Sequence, residues 1–410
     1  MQTLMNLLKG DRQIWGVVLF LVLISILAVY SSSKLVVMRF DISAEMFALR
    51  HAFFLLIGLV CMFFIHRMDY NYFSKGAQWL MIGCLPVLLI TLLVGREGRW
   101  IDFPGFSIQP SEIAKFALIM YLARIITKKQ DKIGSLKEGF MPILLPVLLV
   151  CALIFPADLS TAALIFLTSL LMMFIGRTPF TYILSLVTAS LVSAFFFVFI
   201  LLNAPDELLI LRADTWKSRI VAFQQARASN EMGFQPEQAH IAIANGRVPQ
   251  GPGKSVQKNL LPEAYSDYIY AIIVEEAGLL GALFILFLYL YLFYRSIAIF
   301  RRSPGTFGAL LAVSLAISLV AQALLNILVT VGLLPVTGVT LPFISRGGTS
   351  ILVSSLAIGV ILSVDAHSGK KRRKSPKKTK PKGPPSGKTV AKKPAKQPKI
   401  EHKTITLGDL

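Results

Sequence analysis

Apolar residues fill this chain in ten long blocks separated by polar segments. The blocks run at roughly 14–32, 48–66, 77–95, 112–127, 141–156, 159–176, 180–202, 268–294, 306–330 and 348–365. Runs of about 18 or more apolar residues cross about 30 Å of hydrocarbon as helices. The fourth and fifth blocks are short, which suits helices lining a polar interior. The pattern predicts an all-α polytopic membrane protein with about ten transmembrane helices. One long interval, 203–267, separates the seventh from the eighth. The predicted organisation is a short N-terminal segment, 1–13, a membrane domain, 14–365, and a tail, 366–410.

Composition agrees. The chain is 55% hydrophobic and only 16% charged, with a mean hydropathy of +0.66, which excludes a soluble domain of this length. Cys61, Cys84 and Cys151 lie inside apolar blocks and are too scattered for a disulfide framework or zinc site. The block from Ile14 has no small-residue cleavage site before Ser31, so it reads as a retained span. Lysine and arginine set the orientation. With the N-terminus cytoplasmic, the short cytoplasmic segments hold 13 of them against 6 opposite. Both termini are therefore expected inside and 203–267 outside. The tail carries 15 Lys and Arg; without it the net charge falls from +20 to +7. It has no apolar periodicity and is expected to be disordered. Anionic lipids or a cytoplasmic partner are its expected contacts. The basic character is mainly the tail's, so nucleic-acid binding is not implied.

Charged side chains inside spans are costly, and are candidates for function by default. Four segments qualify. In "GREGRWIDFPGFSIQPSEIAK", Pro110 suits a first helical turn, and Glu112 and Lys115 share a face. They form either a structural ion pair or a cavity lining with Arg99 and Trp100 at its mouth. In "FPADLST", Asp158 either caps the sixth helix or faces a cavity. In "LPEAYSDYIYAIIVEEAG", Ser266 or Asp267 caps the eighth helix, or Asp267 serves chemistry. Glu275 and Glu276 are expected about 12 Å deeper in a continuous helix, at least one facing a polar interior or a cation. In "LPVTGVTLPFISRGGTS", prolines and glycines break any helix, giving a stiff packed loop or a cavity wall. Arg346 adds a cation there. No metal-ligand set of His or Cys appears.

The stretch "GPGKSVQKN", 251–259, looks like a phosphate loop, but the nucleotide pattern needs glycine where Val248 stands. On the predicted outer side, a lipid-linked phosphate is a better partner than a nucleotide.

These blocks resemble the FtsW/RodA family of bacterial membrane proteins. The matching stretches are "RWIDFPGFSIQPSEIAK", "DLST", "GPGKSVQKNLLPEAYSDYIYAIIVEEAGLLG" and "LPVTGVTLPFISRGGTS", and the similarity covers about 10–365. The wording of the last two is closer to the cell-division branch. The resemblance implies a peptidoglycan glycosyltransferase (SEDS type) of the bacterial cytoplasmic membrane. It would polymerise lipid II at the outer face, with a polyprenyl-diphosphate-linked glycan as donor. A class B penicillin-binding protein and other divisome membrane proteins are the implied partners.

Asp267 matches the family's catalytic aspartate and is assigned as general base. Arg99, Lys115, Arg219, Lys254, Lys258 and Arg346 are candidates to neutralise diphosphate charge. Trp100, Glu112, Asp158 and Glu275 match further motif positions and are expected to shape or support the cavity. The resemblance assigns no cofactor, and a divalent cation at the diphosphate is compatible with the chemistry. Arg346 departs from a common Tyr, and Ser160 from a common glycine. A lipid flippase and a division scaffold are the competing readings.

Overall fold

The computed structural model describes residues 8–33, 43–104, 106–203, 213–229 and 233–374. Lys34, Arg39 and most of the basic tail lie outside them. A helix stands at each of the ten apolar blocks: α1 Arg12–Ser31, α2 Ala44–Ile65, α3 Asn71–Val94, α4 Pro110–Lys128, α5 Met141–Ile154, α6 Leu159–Ile175 and α7 Phe180–Asn203. After α8 Ala213–Ser229 and α9 Phe234–Asn245 come α10 Ile269–Arg302, α11 Thr306–Thr330 and α12 Gly348–Lys374. Among the described residues, eight helices are long and apolar enough to cross a membrane. Of the others at those blocks, α6 has 17 residues, and α4 carries Glu112, Lys115, Arg124 and Lys128. The chain is an all-α multi-pass membrane protein.

Local chemistry explains the helix starts. Asp11 caps α1 by accepting from the Gln13 amide at 2.9 Å, and Ser43 caps α2 through Met46 at 3.2 Å. Pro110 opens α4 in its first turn. The core is centred on α11, which packs against α4, α6 and α10 and is buried almost throughout. By contrast, α7 is mostly exposed and bears Phe195, Phe196 and Phe199 on its surface, as a lipid-facing helix does. At the end of the bundle where the N-terminal helix begins, Asp11 binds Arg295 and stands 3.5 Å from Arg302. Arg302 also meets Asp365 at 3.6 Å, which ties α1, α10 and α12 together.

Two features differ from the sequence expectation. The interval after α7 contains α8 and α9, and a two-stranded hairpin precedes α4. The hairpin strands are β1 Ile101–Phe103 and β2 Phe106–Ile108, with Asp102 opposite Ser107. The stretch is too short to signal strands by periodicity.

The second difference changes the site. The eighth block is not one continuous helix. Within α10, Gly278 has φ +70° and ψ −173°, a conformation open to glycine because it lacks Cβ. The Tyr270 hydroxyl donates to the Ala282 carbonyl at 3.2 Å. In an unbroken helix, residues twelve apart are about 18 Å apart along the axis, beyond a tyrosine's reach. The segment from Ile269 to the break therefore turns against the long helix that follows. Glu275 and Glu276 therefore stand at the end of a short helical segment just before the break, not in the middle of one continuous helix. Of the two alternatives for them, the polar surroundings hold among the described residues. Glu275 accepts from Asn245 Nδ2 (3.1 Å), the Val256 amide (3.2 Å), the Gln257 amide (3.3 Å) and the Ser255 hydroxyl. Glu276 accepts from Ser31. The loop that resembles a phosphate cradle thus holds a carboxylate of its own chain.

Candidate functional site

Asp267 stands in the turn that enters α10. The N-cap of that helix is Tyr268, which makes no side-chain cap. The capping alternative for Ser266 or Asp267 is therefore corrected. Instead the Ser266 hydroxyl donates to Asp267 Oδ1 at 3.0 Å.

The backbone around Asp267 is clamped by the broken stretch before α12. Asn326 Nδ2, on α11, donates to the Asp267 carbonyl at 2.9 Å and to the Val339 carbonyl at 2.8 Å. Ser345 Oγ donates to the Ser266 carbonyl at 2.6 Å while accepting from the Leu341 amide at 2.8 Å. The Arg346 amide donates to the Tyr265 carbonyl at 2.9 Å. Irregular backbone buried in a membrane protein needs such partners. From the other side, the His51 ring pairs with Ser25 Oγ at 2.7 Å, and Ser25 donates to the Ile344 carbonyl at 2.9 Å.

Gly338 marks where the chemistry converges. Its φ is +72°, and a Cβ there would stand 3.6 Å from Asp267 Oδ2 and 3.8 Å from Arg99 Nη1. Asp267 and Arg99 thus border the same small space. Arg99 is fixed from behind: Nε donates to the Ala157 carbonyl at 2.6 Å, and Nη2 lies 3.2 Å from Asp158 Oδ1. Asp158 also caps α6 through the Thr161 amide at 3.1 Å, as the capping reading has it. Arg219, on α8, donates to the Val336 carbonyl at 3.2 Å.

Burial pushes the Asp267 carboxyl up to about 6; Ser266 opposes, Glu263 adds, and Arg219 and Arg99 oppose. Desolvation favours the neutral acid and outweighs the cations here. Among the described residues, three buried polar atoms lack a hydrogen-bond partner here: Oη of Tyr268, which follows Asp267, Oδ1 of Asn326, whose amide holds the Asp267 carbonyl, and Oγ1 of Thr337, which precedes Gly338. Buried polar groups are nearly always satisfied, so these are places for a polar ligand or water.

The other sequence candidates separate into three places. Trp100 and Arg346 line a cavity of about 1230 Å³ between α2, the hairpin and the turn holding Ser266. Glu112 and Lys115 are buried together inside the bundle. The Lys115 amine lies 2.8 Å from Glu112 and 2.5 Å from Gln322 Oε1. The structural alternative describes that pair, and the expectation that Lys115 meets a diphosphate is revised. Lys254 is exposed, and Lys258 donates to the Gly253 carbonyl within its own loop. The structure brings neither to Asp267. Among the described residues, no group of three or more His, Cys, Asp or Glu is placed to hold a metal ion.

Sequence reasoning missed Gln322 and Asn326. They stand four apart on α11, in line with Ser314, Ser318 and Thr330, a polar stripe along a mostly apolar helix that costs energy unless it finds partners. That spacing was the available signal.

A family model for FtsW, RodA and SpoVE, described as a cell cycle protein, matches residues 11–370. The chain belongs to this family. It is 34% identical to a probable peptidoglycan glycosyltransferase FtsW of Geobacter metallireducens, covering 83% of this chain and 90% of the relative. It is 35% identical to the stage V sporulation protein E of Bacillus subtilis, over 86% and 96% of the two chains. Among solved structures, a chain from a peptidoglycan synthase complex that coordinates polymerization and crosslinking superposes with a TM-score of 0.72. The identity is 21%, over 88% of this chain and 98% of that one. The rod shape determining protein RodA of Thermus thermophilus gives 0.62 at 21% identity, with the same coverage. These two likenesses establish the fold.

Proposed function

We propose that this protein is a peptidoglycan glycosyltransferase that polymerises lipid II, with Asp267 as general base. It works in the bacterial cytoplasmic membrane, with both termini in the cytoplasm and 203–267 on the outer side. The observation that carries the reading is the placement of Asp267. A clamped carboxyl of raised pKa shares one small space with an arginine, beside orphaned polar atoms, in a family whose relatives are named glycosyltransferases.

The chemistry follows from the residues. Asp267 takes the proton of the acceptor sugar's 4-hydroxyl, and that oxygen attacks the anomeric carbon of the donor. The bond from this carbon to the diphosphate oxygen breaks, and polyprenyl diphosphate leaves. Arg99 and Arg219 neutralise the developing charge. The leaving group is already good, so no strong general acid is needed. A pKa near 6 leaves the carboxylate mostly ionised at neutral pH and basic enough to help, a contribution typically of about 10²–10⁴-fold. Asp158 holds Arg99 in place, and Asn326 holds Asp267.

The closeness to division relatives supports a septal role alongside a class B penicillin-binding protein, with the basic tail on anionic lipid or a cytoplasmic partner. The test is polymerisation of lipid II by purified protein in liposomes, with and without that partner. Glycan strands in either condition support the reading. Lipid II crossing the bilayer with no strands formed would replace it with a flippase.

A further inference from the structure

A polymerase of this kind holds two lipid diphosphates at once, and their distances from the reacting atoms differ. The donor's diphosphate leaves from the attacked carbon, so it must sit beside Asp267. The acceptor reacts through a hydroxyl at the far end of its disaccharide. Its own diphosphate therefore lies about two sugar rings away. Arg99 and Arg219 are the cations that act on Asp267 itself. The acceptor needs a second cationic place, further off and open to lipid.

A cavity of about 1230 Å³ opens beside the turn that leads to Asp267 and has arginines in its lining. One wall is apolar and exposed: Leu49, Phe53 and Leu56 on α2 are 63%, 58% and 59% accessible. Arg50 stands among them on α2, while the facing side carries Arg96 and Arg346 and ends at Ser266, next to Asp267. Arg96 is paired with Asp102 at 3.4 Å. Among the described residues, Arg50 and Arg346 make no ion pair. The Arg346 guanidinium carbon lies 3.8 Å from the centre of the Phe47 ring and 5.6 Å from that of Tyr265. Stacking uses the face of the guanidinium and leaves its in-plane N–H donors for an anion. Burial pushes the Arg346 guanidinium down from the usual arginine range, Tyr265 opposes, and Arg50 pushes it further down. Glu263 shares this wall and offsets part of the charge. Two neighbouring guanidinium groups with no direct ion pair among the described residues, one of them stacked and desolvated, are costly together and favourable around an anion.

We propose that Arg50 and Arg346 form the phosphate-binding end of a groove for the acceptor lipid, separate from the Arg99 and Arg219 pair that serves the donor. The assignment rests on the polymerase reading above. It gives a role to Arg346, and to Arg50, which the sequence motifs did not mark.

The test separates KM from kcat. Elongation is measured with a preformed glycan donor at saturation and lipid II varied. Arg346→Gln and Arg50→Gln each raise the KM for lipid II about tenfold, the loss of one charged phosphate contact, with kcat nearly kept. Arg346→Lys recovers part of the loss. Arg99→Gln lowers kcat instead. A double Arg50→Gln, Arg346→Gln variant with unchanged KM, or with a fall in kcat alone, overturns the assignment. A second arm needs no turnover: lipid II binding to the Asp267→Asn protein in zwitterionic nanodiscs weakens about tenfold with either glutamine. Inorganic diphosphate should compete only at far higher concentration. Displacement by an equal fraction of anionic phospholipid would make the pair a headgroup site and remove the acceptor role. Wild-type protein that binds lipid II through these arginines but makes no strands would sink the polymerase reading, and the acceptor role with it, while leaving a lipid-diphosphate site. Melting curves confirm that each variant is folded.

Discussion

Substituting Gly338 by alanine tests whether the space between Asp267 and Arg99 is where the reaction occurs. The added methyl would stand 3.6 Å from the Asp267 carboxylate and 3.8 Å from the Arg99 guanidinium. Both are ordinary contact distances, so nothing has to move. The backbone cost is that of a non-glycine residue at φ +72°, roughly 1–2 kcal/mol. For a membrane bundle this size, that lowers the melting temperature by only a few degrees. The catalytic cost is of another order, because the methyl fills the place that a reacting hydroxyl must occupy. Displacing a reacting group by about 1 Å can cost about 10²-fold. Gly338→Ala should therefore lose at least that much polymerisation at saturating lipid II while staying folded. The assay is gel-resolved glycan synthesis beside a thermal melt in detergent. Activity within twofold of wild type, in a variant that melts as a folded protein, would refute the location of the reaction.

Other expectations follow from the same geometry. Because the base must be ionised, and its pKa stands at about 6, kcat/KM should fall about tenfold per pH unit below that value and level off above it. A flat profile between pH 5 and 7 (about one unit either side of that pKa) would point to another base. Lys115→Ala leaves Glu112 buried without its partner and should destabilise by about 3–5 kcal/mol. The double change Glu112→Gln, Lys115→Met should recover most of this in melting experiments. If Lys115 instead bound diphosphate, the double variant would be stable yet raise KM. Glu275→Ala strips the acceptor from the amides of Val256 and Gln257, at about 1–3 kcal/mol for each group left unsatisfied. Faster proteolysis of the 246–260 loop is the readout.

The fold was largely legible because the signal is strong. A long apolar block has few alternatives to a membrane helix, and all ten blocks contain one. What escaped were features set by single residues or by tertiary contact. The break at Gly278 lies in an apolar run that reads as continuous, since one glycine does not reveal its φ. It depends on Gly246 and Pro249 packing against the corner. Asp267 was marked by its motif and Asp158 as a helix cap, which it is; the hold of Asp158 on Arg99 was not legible, because it depends on contact between distant segments. The structure places the lysines away from Asp267 for a physical reason. Charge alone made Lys115, Lys254 and Lys258 look like phosphate ligands, while their positions depend on partners far away in sequence. Lys115 meets Gln322 across 207 residues. Likewise, "GPGKSVQKN" announces an anion cradle correctly, but the anion it holds is Glu275.

The most direct test of the central claim is the rate of glycan synthesis by Asp267→Asn beside wild type. Both would be purified with the same partner and assayed at saturating lipid II. Asparagine keeps the shape and can still take a hydrogen bond from Ser266, but it cannot accept a proton. The account predicts a folded protein that binds lipid II normally and polymerises it at least about 10²-fold more slowly. Strands made by Asp267→Asn at the wild-type rate would contradict it.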